Sequence, residues 1–126
     1  MIALDTSFLI DYLRGVTATE TFLEKRESSV YYVPTVSLFE VYRDAAWADT
    51  ETVDAVADAI GWTEPLPFDQ AAVGEAAKIH AELLTAGTPI NAADVMIAGI
   101  CRHHGAALVT RDSDFDAVEE LETLIY

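Results

Sequence analysis

Short apolar runs, rich in β-branched and aromatic residues, alternate along this chain with segments of helical period. That alternation restricts the fold more than any other feature. Residues 1–5 form the first apolar run, after which Thr6 and Ser7 offer N-caps to a helix carrying Leu9, Ile10 and Leu13 and closed by Gly15. Thr17 or Thr19 caps a second helix containing Phe22 and Leu23. Residues 30–33 (Val-Tyr-Tyr-Val) read as a strand ended by Pro34, and Val36, Phe39, Glu40 and Arg43 recur at helical spacing from Thr35 onward. Residues 49–61 predict a helix with Val53, Val56, Ala57 and Ile60 on one face, while two prolines allow residues 62–68 only a short edge strand. Asp69 caps a long helix with an apolar stripe of Val73, Ala76, Ala77, His80, Leu83 and Leu84, stopped by Gly87. A connector at residues 88–91 leads to a helix around Asp94 that ends at His103-His104-Gly105. A strand at 106–110, a turn at 111–114, a short helix at 114–122 and a last strand at 123–126 complete the chain. The expectation is an α/β protein: a single-domain, three-layer α/β/α sandwich over residues 1–126 with a central, mostly parallel sheet.

Sheets of this kind take their ligands outside the C-terminal ends of the strands. Asp5 closes the first strand, and Asp112 follows the strand near Leu108. Glu40 and Asp94 lie near the starts of helices that begin at the same edge. Four carboxylates sharing a site repel one another, and a bound cation relieves the repulsion. Acids without nitrogen or sulfur partners suit a hard divalent ion, Mg²⁺ or its substitute Mn²⁺, and such an ion supports in-line attack of water on a phosphodiester.

Each acid also has an ordinary structural use. Asp5 can cap the first helix, and Glu40 has Arg43 three residues on for a surface ion pair. Asp94 stands three after Asn91 in a capping-box pattern, and Asp112 and Asp114 flank a turn, where aspartate is common. Only the joint arrangement argues for a site. Around it, Thr6 and Thr110 offer hydroxyls, and Arg111 stands ready either to clamp a phosphate or to form an ion pair. Arg14 could touch nucleic acid or favour the end of its helix, and His103 and His104 suit a helix C-terminus. His80, Trp47, Trp62 and Cys101 are expected in the core.

Composition narrows the function classes. With 52% hydrophobic residues the chain is no disordered segment, and no apolar run approaches the ~18 residues of a membrane span. A single cysteine permits no internal disulfide, and no basic leader precedes Asp5, so a cytoplasmic protein is expected. The net charge is −15, with eleven acids in residues 1–63, eleven in 64–126, and only two lysines. An acidic surface spread over the whole domain fits a high-salt interior, where the Debye length falls to ~3 Å at 1 M, and so suggests a halophilic source.

The segments Asp5-Thr6-Ser7, Ser37-Leu38-Phe39-Glu40-Val41, Asp94-Val95-Met96-Ile97-Ala98 and Leu108-Val109-Thr110-Arg111-Asp112-Ser113-Asp114-Phe115 together resemble the PIN-domain nucleases. The similarity is closest to VapC-type toxins of type II toxin–antitoxin pairs, here from a halophilic archaeon, and it covers essentially the whole chain in order. The resemblance implies that Asp5, Glu40, Asp94 and Asp112 are catalytic and bind Mg²⁺ for RNA cleavage, with Asp114 sharing or taking the fourth place. It further implies an endoribonuclease toxin, a homodimer, and a cognate antitoxin whose C-terminal segment enters the acidic site. A housekeeping PIN nuclease and a non-catalytic PIN interaction domain are the competing readings. A phosphotransfer receiver would need a lysine beside the acids, and both lysines fall in helical segments.

Overall fold

The computed structural model describes residues 1–26, 30–49 and 51–126. Strand β1 (Ile2–Leu4) leads into α1 (Thr6–Leu13) and α2 (Thr17–Glu24), followed by β2 (Tyr31–Pro34), α3 (Thr35–Ala48) and α4 (Val53–Ala59). Then come β3 (Glu64–Leu66), α5 (Gln70–Ala86), α6 (Ala92–His104), β4 (Ala107–Val109), a 3₁₀ turn (Ser113–Ala117) and β5 (Thr123–Leu124). The five strands form one sheet in the order β3-β2-β1-β4-β5, and every pairing is parallel.

The pleat divides the apolar side chains between two helical layers. Leu4, Tyr31, Val33 and Val109 pack with Phe8 and Leu9 of α1, Phe22 of α2, Val41 of α3 and Val56 of α4. Ala3 and Leu108, alternating with these along their strands, face Ala72, Ala76, Ile79 and Leu83 of α5 and Val95, Ile97, Ala98, Ile100 and Cys101 of α6. The α/β/α sandwich is therefore as expected. Helices α5 and α6 meet closely because Gly99 has no side chain: a Cβ there would lie 2.7 Å from Ala76 Cβ and 2.9 Å from the Ala72 carbonyl oxygen.

Several local expectations need correction. The helix expected from residue 49 begins at Val53, because Asp49 ends α3 in the left-handed region (φ 52°) and Thr52 caps α4 by accepting from the Ala55 amide. Thr50, which that expectation included, lies outside the described residues. Thr6 and Ser7 do not cap α1; Thr6 is its first residue and Asp5 occupies the cap position. The stripe on α5 is rotated: Ala72, Ala76, Ile79 and Leu83 are buried, while Val73, Ala77, His80 and Leu84 are exposed. Trp47 is 91% exposed and Trp62 40%, the latter set edge-on against Tyr12 and Tyr31. The helix expected at 114–122 is the shorter 3₁₀ turn. Cys101 is fully buried as expected, and burial pushes its thiol up to about 12. Among the described residues no helix is long and apolar enough to cross a membrane.

Candidate active site

The strand order places a topological switch beside β1: the chain moves outward to β2 and β3, then returns to lay β4 and β5 on the other side. The crevice beyond the carboxyl ends of β1 and β4 is where an open parallel sheet receives a ligand. Leu4 and Val109 are in register there, and the Asp5 amide donates to the Val109 carbonyl at 3.0 Å. Asp5 and the residues after Val109 are thus set side by side by the sheet itself.

Asp5 makes no side-chain capping bond although it holds the N-cap position of α1. Its carboxylate is buried; Oδ2 accepts from Thr110 Oγ1 at 2.7 Å and, more weakly, from Ser7 Oγ at 3.4 Å. Oδ1 is buried with no hydrogen-bond partner among the described residues. Burial raises the pKa of Asp5, the Thr110 bond and the Thr6 amide beside it oppose the rise, and repulsion from Glu40 and Asp112 adds to it. Such an orphaned carboxylate oxygen is costly unless something positive meets it.

The other acids stand around it. Glu40 ignores Arg43, which pairs with Asp44 instead; Glu40 accepts from Thr6 Oγ1 at 2.7 Å. Asp94 lies in the first turn of α6, which Asn91 caps: Asn91 Oδ1 accepts from the Asp94 amide at 2.9 Å, while the return bond of the pair runs between side chains, Asn91 Nδ2 donating to Asp94 Oδ2 at 2.7 Å. Burial, first of all, raises the Asp94 carboxyl to about 6; Asn91 opposes the rise, and Asp5, Asp112 and Glu40 reinforce it. The Asp112 amide donates to Thr110 Oγ1 at 3.0 Å, and Asp112 Oδ1 accepts from the Asp114 amide at 2.9 Å, so Asp112 also caps the 3₁₀ turn. Asp94, Asp112 and Asp114 can each turn one carboxylate oxygen to within 4.8 Å of the others. Asp5 and Glu40 fall outside that tightest group but near enough to raise the Asp94 pKa.

All five acids from the sequence therefore meet at one edge, and Thr6 and Thr110 each hold one of them. Arg111 is not a free phosphate clamp here; it pairs with Asp11, at 2.9 Å between Nη1 and Oδ2. Asp11 and Tyr126, which touches it, escaped the sequence reading, as did the bond from Asn91 to the Asp94 carboxylate. The available signal for Asp11 was an acid set between Leu9, Ile10, Tyr12 and Leu13. The buried hydroxyl of Ser37, in the Ser-x-x-Glu segment, has no partner among the described residues.

The donor set fits a hard divalent cation. It offers carboxylate oxygens only, one of them buried and unpartnered among the described residues, and such an ion would offset both the burial that chiefly lifts Asp94 and the repulsion that adds to it.

Solved structures share the whole architecture. The chain is similar to one in the VapBC2 complex of Rickettsia felis bound to a promoter DNA fragment, with a TM-score of 0.85 at 17% identity, covering 99% of this chain and 98% of that one. It is likewise similar to chains in DNA-bound VapBC from Salmonella typhimurium (TM-score 0.82, 22% identity, 99% and 98% covered) and in VapBC-1 from nontypeable Haemophilus influenzae (0.82, 20%, 99% and 98%). Among curated proteins none matches the sequence. The family described as PIN domain matches residues 2–121, the span that contains strands β1 to β4, both helical layers and all five acids. The chain belongs to the PIN domain family.

Proposed function

We propose that this protein is a Mg²⁺-dependent endoribonuclease and the toxin of a type II toxin–antitoxin pair. The observation that carries the proposal is the convergence of Asp5, Glu40, Asp94, Asp112 and Asp114 at the sheet switch of a PIN domain, with Asp5 Oδ1 buried and unpartnered. Asp94, Asp112 and Asp114 would hold the ion together with the neighbouring Asp5, with Mn²⁺ as substitute. When bound, the ion supplies Lewis acidity at the scissile phosphodiester and offsets the charge of substrate and carboxylates. The protein's own part is placement. Thr110 fixes Asp5, Thr6 fixes Glu40 and Asn91 fixes Asp94, so the carboxylates present a preset geometry to the phosphate. Glu40, with one oxygen accepting from Thr6 Oγ1, would complete the acidic set around the ion. Direct attack by water leaves 5′-phosphate and 3′-hydroxyl ends.

The toxin assignment is supported by the shared fold of chains solved in VapBC complexes. It is also supported by a groove of about 520 Å³ between α1, α3 and α4, walled by Ile10, Leu13, Val41, Ala45, Ala55 and Val56 with Arg14 and Glu51 among its lining. We assign that groove to an apolar segment of the antitoxin, whose following residues reach the acids with an arginine. The exposed Phe39 and Trp47 on α3 are assigned to the second copy in a homodimer. The charge of −15 and the single buried cysteine support a cytoplasm of high salt, hence a halophilic archaeal source.

The test is cleavage of single-stranded RNA with Mg²⁺ or Mn²⁺ and in excess chelator, alongside expression in the native host without a partner. Metal-dependent cleavage, growth arrest by the wild type and none by Asp5→Asn are expected. Cleavage undiminished in chelator, or 2′,3′-cyclic phosphate products, would refute the mechanism. Cleavage without growth arrest would make the protein a housekeeping nuclease, and a chain inert under every condition would be a PIN interaction domain.

A further inference from the structure

A second polar cluster adjoins the acids without belonging to them. Asp11 of α1 is buried, yet its carboxylate meets three donors. Arg111 Nη2 donates to Oδ1 at 3.1 Å, Arg111 Nη1 lies 2.9 Å from Oδ2, and the Tyr126 hydroxyl donates to Oδ2 at 2.7 Å. The pairing with the guanidinium is two-pronged, the geometry in which an arginine is least free to swing. Tyr126 is itself fixed: its ring stands edge-on to Phe8 of α1, with centroids 4.9 Å apart. Burial and the bond to Asp11 push its hydroxyl up to about 12, so it remains a donor.

Arg111 occupies the single position between Thr110, which binds Asp5, and Asp112, which carries Asp114 on its Oδ1. The Thr110 amide still donates to the Leu124 carbonyl at 3.0 Å, but past it no bond to a neighbouring strand fixes this backbone among the described residues. Two side-chain anchors replace it: Thr110 to Asp5, and Arg111 to Asp11. A buried carboxylate whose ion partner is still 59% exposed is a poor device for stability alone, because the carboxylate loses its hydration while solvent at the guanidinium screens the attraction that should offset the loss. It is a good device for holding a loop at one place.

We infer that Asp11 is a positioning residue. Through its fork with Arg111, braced by Tyr126, it sets where Asp112 and Asp114 stand relative to Asp94, and hence how well the three hold a divalent ion. The inference rests on the proposed reading of those acids as the metal site. It also gives Arg111 a different task from phosphate binding, since both of its terminal nitrogens are engaged with Asp11.

The experiment compares wild type with Asp11→Asn, Tyr126→Phe, Arg111→Gln and Arg111→Lys. Mn²⁺ affinity is measured by calorimetry on folded protein, and thermal unfolding is followed in chelator. Supporting groups behind metal ligands typically change affinity by 10- to 100-fold, so Asp11→Asn and Arg111→Gln should weaken Mn²⁺ binding by about that factor. Tyr126→Phe, which removes one hydrogen bond, should weaken it about 3-fold or more. Arg111→Lys should recover part of the loss caused by Arg111→Gln. Tyr126 is only partly buried, so its variant carries the test if Asp11→Asn does not fold. Lower melting temperatures with unchanged Mn²⁺ affinity would make the cluster a simple brace and overturn the inference while leaving the metal site intact. A wild type that binds no Mn²⁺ would overturn the metal reading and this inference with it.

Discussion

Asp94→Asn should stabilise the metal-free protein, and the size of the effect follows from the site. The carboxyl is raised from 3.8 to about 6, chiefly by burial, then by Asp5, Asp112 and Glu40, against the opposing bond from Asn91. A shift of about two units corresponds to roughly 3 kcal/mol. The carboxylate opens toward Asp112 and the exposed Asp114, where solvent screens part of the repulsion, so about 1–2 kcal/mol is the working figure. The sign follows from the direction of the shift. A carboxyl with a raised folded-state pKa contributes its stability below the unfolded value near 4, and that contribution is lost as pH rises through about 6. At pH 7.5 the ionised Asp94 therefore weighs against the fold, whereas asparagine keeps the shape, removes the charge and can still accept from Asn91 Nδ2.

In chelator at pH 7.5, Asp94→Asn should melt about 4–8 °C above wild type for a chain of this length, and the gap should close toward pH 4.5. Adding Mn²⁺ should reverse the order, because only the wild type gains stability in proportion to the logarithm of ligand concentration over its dissociation constant. Calorimetric melts over this pH range, with and without metal, decide the matter. A variant less stable than wild type at pH 7.5 in chelator would refute the reasoning and leave helix capping as the chief role of Asp94.

Three further outcomes follow from the packing and the charge. Gly99→Ala gains up to ~1 kcal/mol of helix propensity, but its Cβ would press on the Ala76 amide nitrogen at 2.8 Å, so a net loss of about 1–3 kcal/mol is expected in urea unfolding. Trp47→Ser should alter monomer stability by no more than about 0.5 kcal/mol, since the indole is 91% exposed, while shifting the protein toward monomer in sedimentation experiments. With 22 acids against 7 basic residues, melting temperature should rise steeply from ~0.1 M to molar KCl as screening shortens from ~10 to ~3 Å, and a salt-independent melt would remove the case for halophilic adaptation.

The strands and most helices were legible because their signals are local and redundant. Gly15, Gly87 and Gly105 all end helices at positive φ, as their positions after apolar stripes imply. The phase of α5 was not legible. Apolar residues cover much of that helix, so periodicity alone allows Val73, His80 and Leu84 to face the core. What decides the phase is a contact with another element: Ala72 and Ala76 are the small residues that let α6 approach at Gly99, and turning them inward sends His80 and Leu84 out. Trp47 misled for a related reason, since its size argues for burial although it lies in the last turn of α3.

The acids divide along the same line. Asp5 and Asp112 are placed by topology, because each follows a parallel strand and the two strands are neighbours in register. A reader who infers the sheet has already brought them together, and the helix starts at α3 and α6 bring Glu40 and Asp94 to the same edge. Asp11 sits on the same helix that Asp5 opens, but its partners are 100 and 115 residues away, and its one local signal, the apolar neighbours Leu9, Ile10, Tyr12 and Leu13, does not say what it meets. Its burial makes sense only once β5 has delivered Tyr126 beside α1 and the loop after β4 has turned Arg111 inward. Residues that meet a ligand can thus be found from strand order, whereas a residue that positions them emerges only from packing. For this chain the comparison of Asp94→Asn with Asp11→Asn separates the two kinds: the first should raise metal-free stability at pH 7.5 and abolish Mn²⁺ binding. The second should lower stability, by removing the buried charge that meets Arg111 and Tyr126, and weaken Mn²⁺ binding without abolishing it.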